Sequence, residues 1–263
     1  MLAVLPLLPK ENSLRYIQFS AGFADSAVIL DGQTTWVIDA GEHGSDLTSF
    51  LRSEGRSIDK MLITHLHNDH IGGLEQIMDS GIRIGEILLP YGAREARVDE
   101  GSLALLLDAQ TRGIPVKTIG KGDTIQSRRV SGEVLWPYQK ALYPGMDANH
   151  GAMVIYWNLD GVSLLSASDL SSGYAQYAFR PAQVLKLPHH GSKADNSAET
   201  LALVSPQLAI LTASGSRAER YQSAQEILSR MKASQIVTGQ AGAVTLRIHQ
   251  QAVQVSTHRT GRD

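Results

Sequence analysis

Residues 64–73 read Thr-His-Leu-His-Asn-Asp-His-Ile-Gly-Gly, and this stretch constrains the fold and the chemistry more than any other. The apolar residues 61–64 predict a strand, and the residues that follow predict a helix over 71–78. Three histidines and one aspartate therefore lie on a tight loop at the end of a strand. That arrangement lets several potential ligands converge on a metal ion.

The spacing of these residues predicts two ligand groups. His65 and His67 alternate along the chain, so both side chains can reach one side of the loop. Asp69 and His70 lie at the start of the helix and can reach a second point nearby. Neutral imidazoles and carboxylates suit zinc, and also manganese or iron.

Two later segments place further ligand types directly after apolar strands. Asp169 follows the predicted strand 162–166, and His189 and His190 follow the predicted strand 184–187. Each feature alone has a simpler interpretation, since an aspartate after a strand is often a turn or cap residue. Together with the first loop, they complete a binuclear ligand set at the carboxyl ends of three strands.

Composition excludes several classes of protein. The chain has 263 residues, nine histidines and no cysteine, which excludes disulfide scaffolds, cysteine zinc fingers, iron–sulfur clusters and thiol nucleophiles. The net charge is −2, with 24 basic and 26 acidic residues, which counts against a large nucleic-acid footprint. Apolar runs are too short for a membrane span, and residues 1–9 lack the basic start of a signal peptide.

Short strands alternate with helices in both halves of the chain, and each half begins with hairpins. Asp31-Gly32 and Asp160-Gly161 are the hairpin turns. Ser45 is predicted to cap a first helix, and later helices are predicted over 103–111, 198–204 and 218–232. Residues 115–148 lack periodicity and are interpreted as a connection between the halves or a wall of the site.

This alternation predicts an α/β fold, a four-layer αββα sandwich of two mixed sheets between outer helices. We expect one domain over 1–263, with residues 1–13 as an N-terminal extension. Such a length is within the range of a single large domain.

The chain resembles the metallo-β-lactamase-fold hydrolases. Their His-x-His-x-Asp-His motif matches the residues of the 64–73 loop, and their bridging carboxylate matches Asp169. Their final histidine matches His190, next to Gly191, with His189 as the alternative. A further family histidine, between the first motif and the bridging aspartate, matches His150. If His150 is not that ligand, the resemblance implies a first metal that is held by His65, His67 and Asp169 and by more water.

Three further positions surround this implied ligand set. Asp39 matches a family carboxylate that buttresses the site, while its alternative interpretation is a turn residue before Gly41. Ser192 and Lys193 lie next to the last histidine and, like His189, are candidates to bind a substrate oxygen or protonate a leaving group. A simply solvated Lys193 is the competing interpretation.

One branch of the family fits best, the ComEC-like group, which includes the metallohydrolase domain of the DNA-internalisation competence protein. The similarity lies in residues 19–29, 69–74, 185–192 and 242–244. Departures occur at Phe23 and Ala24, where Gln and Gly are usual, and at Ser168, where Gly is usual. They leave the ligand set intact and bear on the substrate.

The resemblance implies a metal-dependent hydrolase with two divalent ions, Zn or Mn, that share a hydroxide. The implied metal ligands are His65, His67, Asp69, His70, His150, Asp169 and His190, with Asp69, Asp169 and His190 as the catalytic residues. A phosphodiester substrate, small or in single-stranded DNA, is the first hypothesis, which makes the activity nuclease-like. A lactamase or lactonase acting on a small ester or amide is the second, and a metal-stabilised, non-enzymatic binding domain is the third.

The expected location depends on whether the chain stands alone or belongs to a longer protein. The sequence predicts a soluble chain, which would act in the cytoplasm if it stands alone and outside the inner membrane if it belongs to a longer competence protein. Nothing in the sequence indicates the oligomeric state.

Overall fold

Two β-sheets form the centre of the protein in the computed structural model, which describes residues 13–139 and 143–258. The strands of the first sheet are β1 (Leu14–Gln18), β2 (Ser26–Asp31), β3 (Thr34–Ala40), β4 (Lys60–Leu62), β5 (Ile87–Pro90) and β6 (Val116–Ile119), with β14 (Ala243–His249) and β15 (Ala252–His258) from the end of the chain. The strands of the second are β7 (Thr124–Gln126), β8 (Val130–Trp136), β9 (Val154–Leu159), β10 (Val162–Ser166), β11 (Val184–Lys186), β12 (Leu208–Leu211) and β13 (Ser234–Val237).

Each sheet is half antiparallel and half parallel. The first has the order β15-β14-β1-β2-β3-β4-β5-β6, antiparallel up to β3 and parallel beyond it. The second has the order β13-β12-β11-β10-β9-β8-β7, parallel up to β10 and antiparallel beyond it. Both predicted hairpins are present, between β2 and β3 and between β9 and β10. Asp160 and Gly161 both have positive φ, as the tightest hairpin turns require.

Helices cover the outer faces of both sheets. They are α1 (Ser45–Ser53), α2 (Asn68–Ile71), α3 (Leu74–Asp79), α4 (Glu100–Thr111), α5 (Ala175–Ala178), α6 (Ala198–Ala202), α7 (Gln222–Arg230) and α8 (Thr238–Ala241). Short 3-10 helices occur at Ala148–Gly151, Ser172–Tyr174, Pro188–Gly191 and Gly215–Arg220. Within the described ranges, none of these helices is long and apolar enough to cross a bilayer.

Three buried clusters join the layers. Side chains from both sheets meet in the middle, where the rings of Trp36 and Trp157 lie 5.9 Å apart. A second cluster packs α1, α3 and α4 on the first sheet, and a third packs α5, α6 and α7 on the second. This arrangement confirms the predicted αββα sandwich.

Several local predictions were wrong. The residue before α1 is Gly44, whose backbone is left-handed and which makes no side-chain cap, while Ser45 is already inside the helix. The helix predicted over 71–78 is divided into α2 and α3 at Gly72–Gly73. The predicted extension 1–13 lies outside the described residues apart from Ser13.

Residues 115–148 are more regular than predicted, because they contain β6, β7 and β8. β6 and β7 are the outermost strands of their sheets, and several of their side chains are exposed. Edge strands of this kind are short and carry polar residues, so their periodicity is weak.

Candidate metal centre

The predicted ligands gather where the parallel strands of both sheets end. Asp39 lies near the end of β3, the histidine loop follows β4, and Asp169 follows β10. His189 and His190 follow β11, which is parallel to β10. Since parallel strands present their carboxyl ends at one edge, this topology brings residues distant in sequence together.

The histidine loop is fixed to β3 by buried hydrogen bonds. Asp39 accepts hydrogen bonds from the backbone N–H of Thr64 at 2.7 Å and from its hydroxyl at 2.8 Å. The backbone N–H of Gly73 donates to the carbonyl of Gly41 at 2.8 Å. A Cβ atom at Gly73 would lie 2.4 Å from the carbonyl oxygen of Ala40, so this close approach requires glycine.

His70, Asp169 and His190 form the centre of the site. The Nε2 atom of His70 lies 3.5 Å from Oδ2 of Asp169, and Nε2 of His190 lies 3.4 Å from the same oxygen. The Oδ2 atom of Asp69 is 3.4 Å from His190 Nε2 and 3.8 Å from His70 Nε2. His65 and His67 lie beside this group, with Nε2 of His65 3.1 Å from Nδ1 of His67.

The far nitrogens of two rings are already held. Nδ1 of His70 donates to Asp39 at 2.8 Å, and Nδ1 of His190 donates to the backbone carbonyl of Thr212 at 3.0 Å. When either ring is neutral, these contacts select the tautomer in which Nε2 carries a lone pair directed into the site.

Several buried polar atoms at the site make no hydrogen bond within the described ranges. His70 Nε2, His190 Nε2 and Asp169 Oδ1 are buried and make no hydrogen bond. Buried polar atoms are normally satisfied, so a converging set of unpartnered nitrogens and oxygens requires an explanation. A divalent cation fits it, since imidazole and carboxylate are the donors that Zn and Mn take.

Burial and the neighbouring carboxylates have opposite effects on the pKa values of His190 and His70. Burial disfavours the charged form of His190, but the carboxylates of Asp169 and Asp25 outweigh it and raise the pKa of His190 to about 9. Burial and the carboxylates of Asp39 and Asp169 act on His70 in the same way, and its pKa is well above its ordinary value. In the metal-free protein these carboxylates therefore hold protons on rings that a cation would use.

His65 behaves differently. Its burial, helped by the positive charge of His70, holds the pKa of His65 well below its ordinary value. The ring is therefore neutral near pH 7, which is the form that binds a metal ion.

Unusual backbone geometry aims several of these side chains. Four residues have φ between 47° and 61°, the left-handed region that residues other than glycine rarely adopt. They are Asp39, Ser168, His189 and His190. Such strain commonly occurs at functional sites. The hydroxyl of Ser168 donates to Thr64 Oγ1 at 2.6 Å.

The two adjacent histidines occupy different environments. His190 is buried, whereas the side chain of His189 is 37% exposed. Nδ1 of His189 contacts Oδ2 of Asp195 at 2.7 Å, and its Nε2 lies 3.9 Å from Asp169. His189 is thus oriented by Asp195 on the solvent side of the site.

Three predicted residues lie apart from the central group. Nδ1 of His150 is buried without a hydrogen-bond partner in the described ranges, and its ring packs 5.0 Å from that of Tyr174. Ser192 is half-buried and donates its backbone N–H to the carbonyl of His189 at 2.8 Å. Lys193 is exposed.

Sequence reasoning missed a buried ion pair beneath the site. Lys186, the last residue of β11, contacts Oδ2 of Asp25 and lies 3.9 Å from Oδ1 of Asp169. Burial disfavours the charge, but Asp25 and Asp169 raise the pKa of Lys186 above its ordinary value. Asp25 and Lys186 lie in the segments 19–29 and 185–192, which carried the family resemblance. That resemblance was the only sign in the sequence that these two residues belong to the site.

Asp25 also groups geometrically with the ligands. One ligand atom each from Asp25, His70, Asp169 and His190 lie within 4.8 Å of one another. Asp25 Oδ1 is 3.9 Å from Nδ1 of His190, the nitrogen that Thr212 already holds. Its other oxygen contacts Lys186, so Asp25 is better placed as a counter-ion than as a ligand.

One rim of the site is basic and aromatic. The ring of Phe23 lies 6.1 Å from that of His190. The exposed guanidinium groups of Arg217 and Arg220 lie 5.9 Å and 5.1 Å from the centre of the Phe23 ring. Phe23 therefore contacts the ring of His190 and also two exposed guanidinium groups.

Most of the chain matches known sequences. The family model described as the metallo-beta-lactamase superfamily matches residues 20–214. ComE operon protein 3 of Bacillus subtilis (strain 168) is 26% identical over 209 residues, which cover 76% of this chain. The chain spans 26% of the length of that relative.

Solved structures show the same fold. The metallo-beta-lactamase fold protein YhfI from Bacillus subtilis superposes with a TM-score of 0.59 at 9% identity, covering 90% of this chain and 100% of YhfI. A diphosphatase from the PhnP family superposes with a TM-score of 0.52 at 14% identity, covering 86% of this chain and 85% of the diphosphatase. At these identities the likeness concerns the fold alone.

Proposed function

This chain belongs to the metallo-beta-lactamase superfamily, and from that premise we propose that it uses two divalent ions to hydrolyse phosphodiesters, with single-stranded DNA as the substrate. The superfamily makes it a metal-dependent hydrolase. The ComEC-like relative supports the choice of a nucleic-acid phosphodiester.

The observation that carries the proposal is the meeting of His70, His190 and Asp169. Two unpartnered ring nitrogens lie within 3.5 Å of one carboxylate oxygen, and all three side chains are buried. Asp69, His70 and His190 would hold one ion, His65, His67 and His150 would hold the other, and Asp169 would contribute its carboxylate to the same centre.

When bound, these ions would lower the pKa of water and stabilise the charge that develops on a phosphoryl oxygen. The residues of the chain supply the arrangement. Asp39 and Thr212 fix the rings of His70 and His190, and Asp195 orients His189, whose Nε2 is available to donate a proton to a leaving oxygen.

The basic rim favours an anionic substrate. Arg217 and Arg220 are exposed and stand beside Phe23, which contacts the ring of His190. Guanidinium groups bind phosphate oxygens in a bidentate manner. Such a rim is of less use to a neutral ester or amide substrate.

A substrate panel tests the proposal. The protein is loaded with Mn or Zn and assayed with single-stranded DNA, bis-p-nitrophenyl phosphate and nitrocefin. We expect metal-dependent cleavage of the two phosphodiesters and none of nitrocefin, with Arg217→Ala/Arg220→Ala raising KM for DNA. Turnover of nitrocefin alone would favour a lactamase. Bound metal without any turnover would favour the non-enzymatic binding domain.

A further inference from the structure

Two exposed tyrosines of this protein pack against one tryptophan ring. The chain has 4 Phe, 3 Trp and 8 Tyr, all within the described ranges. Of these, Tyr138, Tyr143 and Tyr177 are exposed, at 43%, 57% and 56%. Tyr138 and Tyr177 both contact Trp136, and we call these three residues, with Tyr174, the aromatic patch.

Trp136 is the fixed centre of the aromatic patch. It is 1% exposed, and its indole N–H donates to the backbone carbonyl of His150 at 2.7 Å. Its ring lies 5.2 Å from that of Tyr174 and stacks at an interplanar angle of 22° with Tyr177, at a centroid distance of 6.3 Å. Tyr138 meets it edge-on at 5.1 Å.

The aromatic patch contacts one proposed metal ligand. The ring of Tyr174 packs 5.0 Å from that of His150, a proposed metal ligand. The segment that carries Tyr174 and Tyr177 follows Asp169 directly in the sequence. It is tied to the site by Asp195, which accepts the backbone N–H of Ser172 at 2.9 Å and contacts His189 at 2.7 Å.

A cation lies at the backbone of Tyr177. The ammonium group of Lys121, an exposed residue, donates to the backbone carbonyl of Tyr177 at 3.4 Å. An exposed ring together with an ammonium group at the backbone of the same residue matches a nucleotide, which has a flat base and an adjacent phosphate.

We propose that the aromatic patch is a base-stacking subsite, in which a nucleobase of a single-stranded substrate stacks on Tyr177 while Lys121 binds a neighbouring phosphate. The inference rests on the proposed function, because it deepens the substrate class of the same site. A ring that already stacks on Trp136 suits this role, since ordering it on binding costs less conformational entropy. Because every base has a flat face, the subsite would be tolerant of sequence.

Binding without catalysis tests the subsite. Fluorescence anisotropy is measured in chelator with oligothymidylate of about twelve nucleotides and with an abasic oligomer of equal length. We expect the thymidylate to bind more tightly than the abasic oligomer, and Tyr177→Ala to weaken thymidylate binding by roughly tenfold while leaving abasic binding unchanged. Tyr177→Phe, which keeps the ring, should bind like the unchanged protein.

Leu107→Ala is the matched control, because Leu107 is 66% exposed and lies on α4, outside the aromatic patch. Equal binding of the two oligomers, or equal losses in Tyr177→Ala and Leu107→Ala, would overturn the subsite. Hydrolysis of bis-p-nitrophenyl phosphate by the metal-loaded protein is scored separately. Base-dependent binding without that hydrolysis would refute the proposed function and leave the subsite standing, and the reverse result would do the opposite.

Discussion

The Nδ1 atom of His70 lies 2.8 Å from Oδ2 of Asp39, and the two side chains are 0% and 2% exposed. Asp39 also accepts two hydrogen bonds from Thr64, which begins the histidine loop. One carboxylate therefore sets the position of the loop and the orientation of a ring within it. Of the two interpretations of Asp39, a buttress of the site and a turn residue, the geometry supports the first.

Replacing Asp39 should weaken metal binding more than it weakens the fold. In Asp39→Asn the amide replaces one oxygen acceptor, so the bond from His70 or one from Thr64 is lost. Outer carboxylates of this kind typically contribute about 10–100-fold in metal affinity. Equilibrium dialysis should show that loss, with an unchanged circular dichroism spectrum. Unchanged affinity would mean that Asp39 has only a structural role.

Asp69→Ala should abolish metal-dependent hydrolysis and leave the fold largely intact. Asp69 is 36% exposed in its side chain, so its loss creates no buried cavity, but it removes an oxygen 3.4 Å from Nε2 of His190. Activity and metal content are measured on the same sample. Full activity at equal metal content would refute the assignment of Asp69.

The buried ion pair of Lys186 and Asp25 predicts a double-mutant cycle. Each side chain is 5% exposed, so removing one partner leaves a buried charge unpaired, at a cost of about 3–5 kcal/mol. We expect Lys186→Met and Asp25→Asn each to lower the free energy of unfolding, and the double variant to lose less than their sum. Denaturant unfolding of the metal-free protein provides the four values. Strict additivity would show that the pair does not interact.

Protons and metal should compete for His190. Its pKa in the metal-free protein is raised from 6.5 to about 9, so it contributes stability that is complete below pH 6.5 and is lost as the pH rises through about 9. His70, whose pKa is also raised, adds to the effect. We expect the melting temperature of the metal-free protein to fall across this window.

Metal-saturated protein is the control for that pH series. A bound cation replaces the ring protons, so its melting temperature should vary less over the same range, and metal binding at neutral pH should release protons. Calorimetry in buffers of different ionisation enthalpy measures that release. Identical pH profiles with and without metal would show that protons and metal do not compete for these histidine rings.

The sequence predicted the parts of the site that are local and left out those that are not. The histidine loop and the strands that present Asp169 and His190 could be read from short patterns, because each is a motif beside an apolar strand. The contact of Lys186 with Asp25 joins residues 161 positions apart and has no local signature. The aromatic patch was missed for the same reason, since residues 136–138 and 174–177 meet only through the packing of the second sheet.

The outer strands β6 and β7 could not be predicted from the sequence for a different reason. β6 and β7 are half-exposed, so their apolar alternation is too weak to predict a strand. β8 also contains Gly132, and glycine normally weakens a strand. Here a Cβ atom would lie 2.5 Å from the ring of Trp157, and the packing of that ring requires the glycine.

Two metal ions per chain should make this protein a phosphodiesterase. Metal-free protein is titrated with Mn or Zn, and bound metal and the cleavage of bis-p-nitrophenyl phosphate are followed in the same samples. We expect the rate to rise until two ions are bound per chain, and Asp169→Asn to remove both the rate and tight binding. Two ions bound without any cleavage, or cleavage that persists in Asp169→Asn, would show that the bound ions do not carry out this hydrolysis.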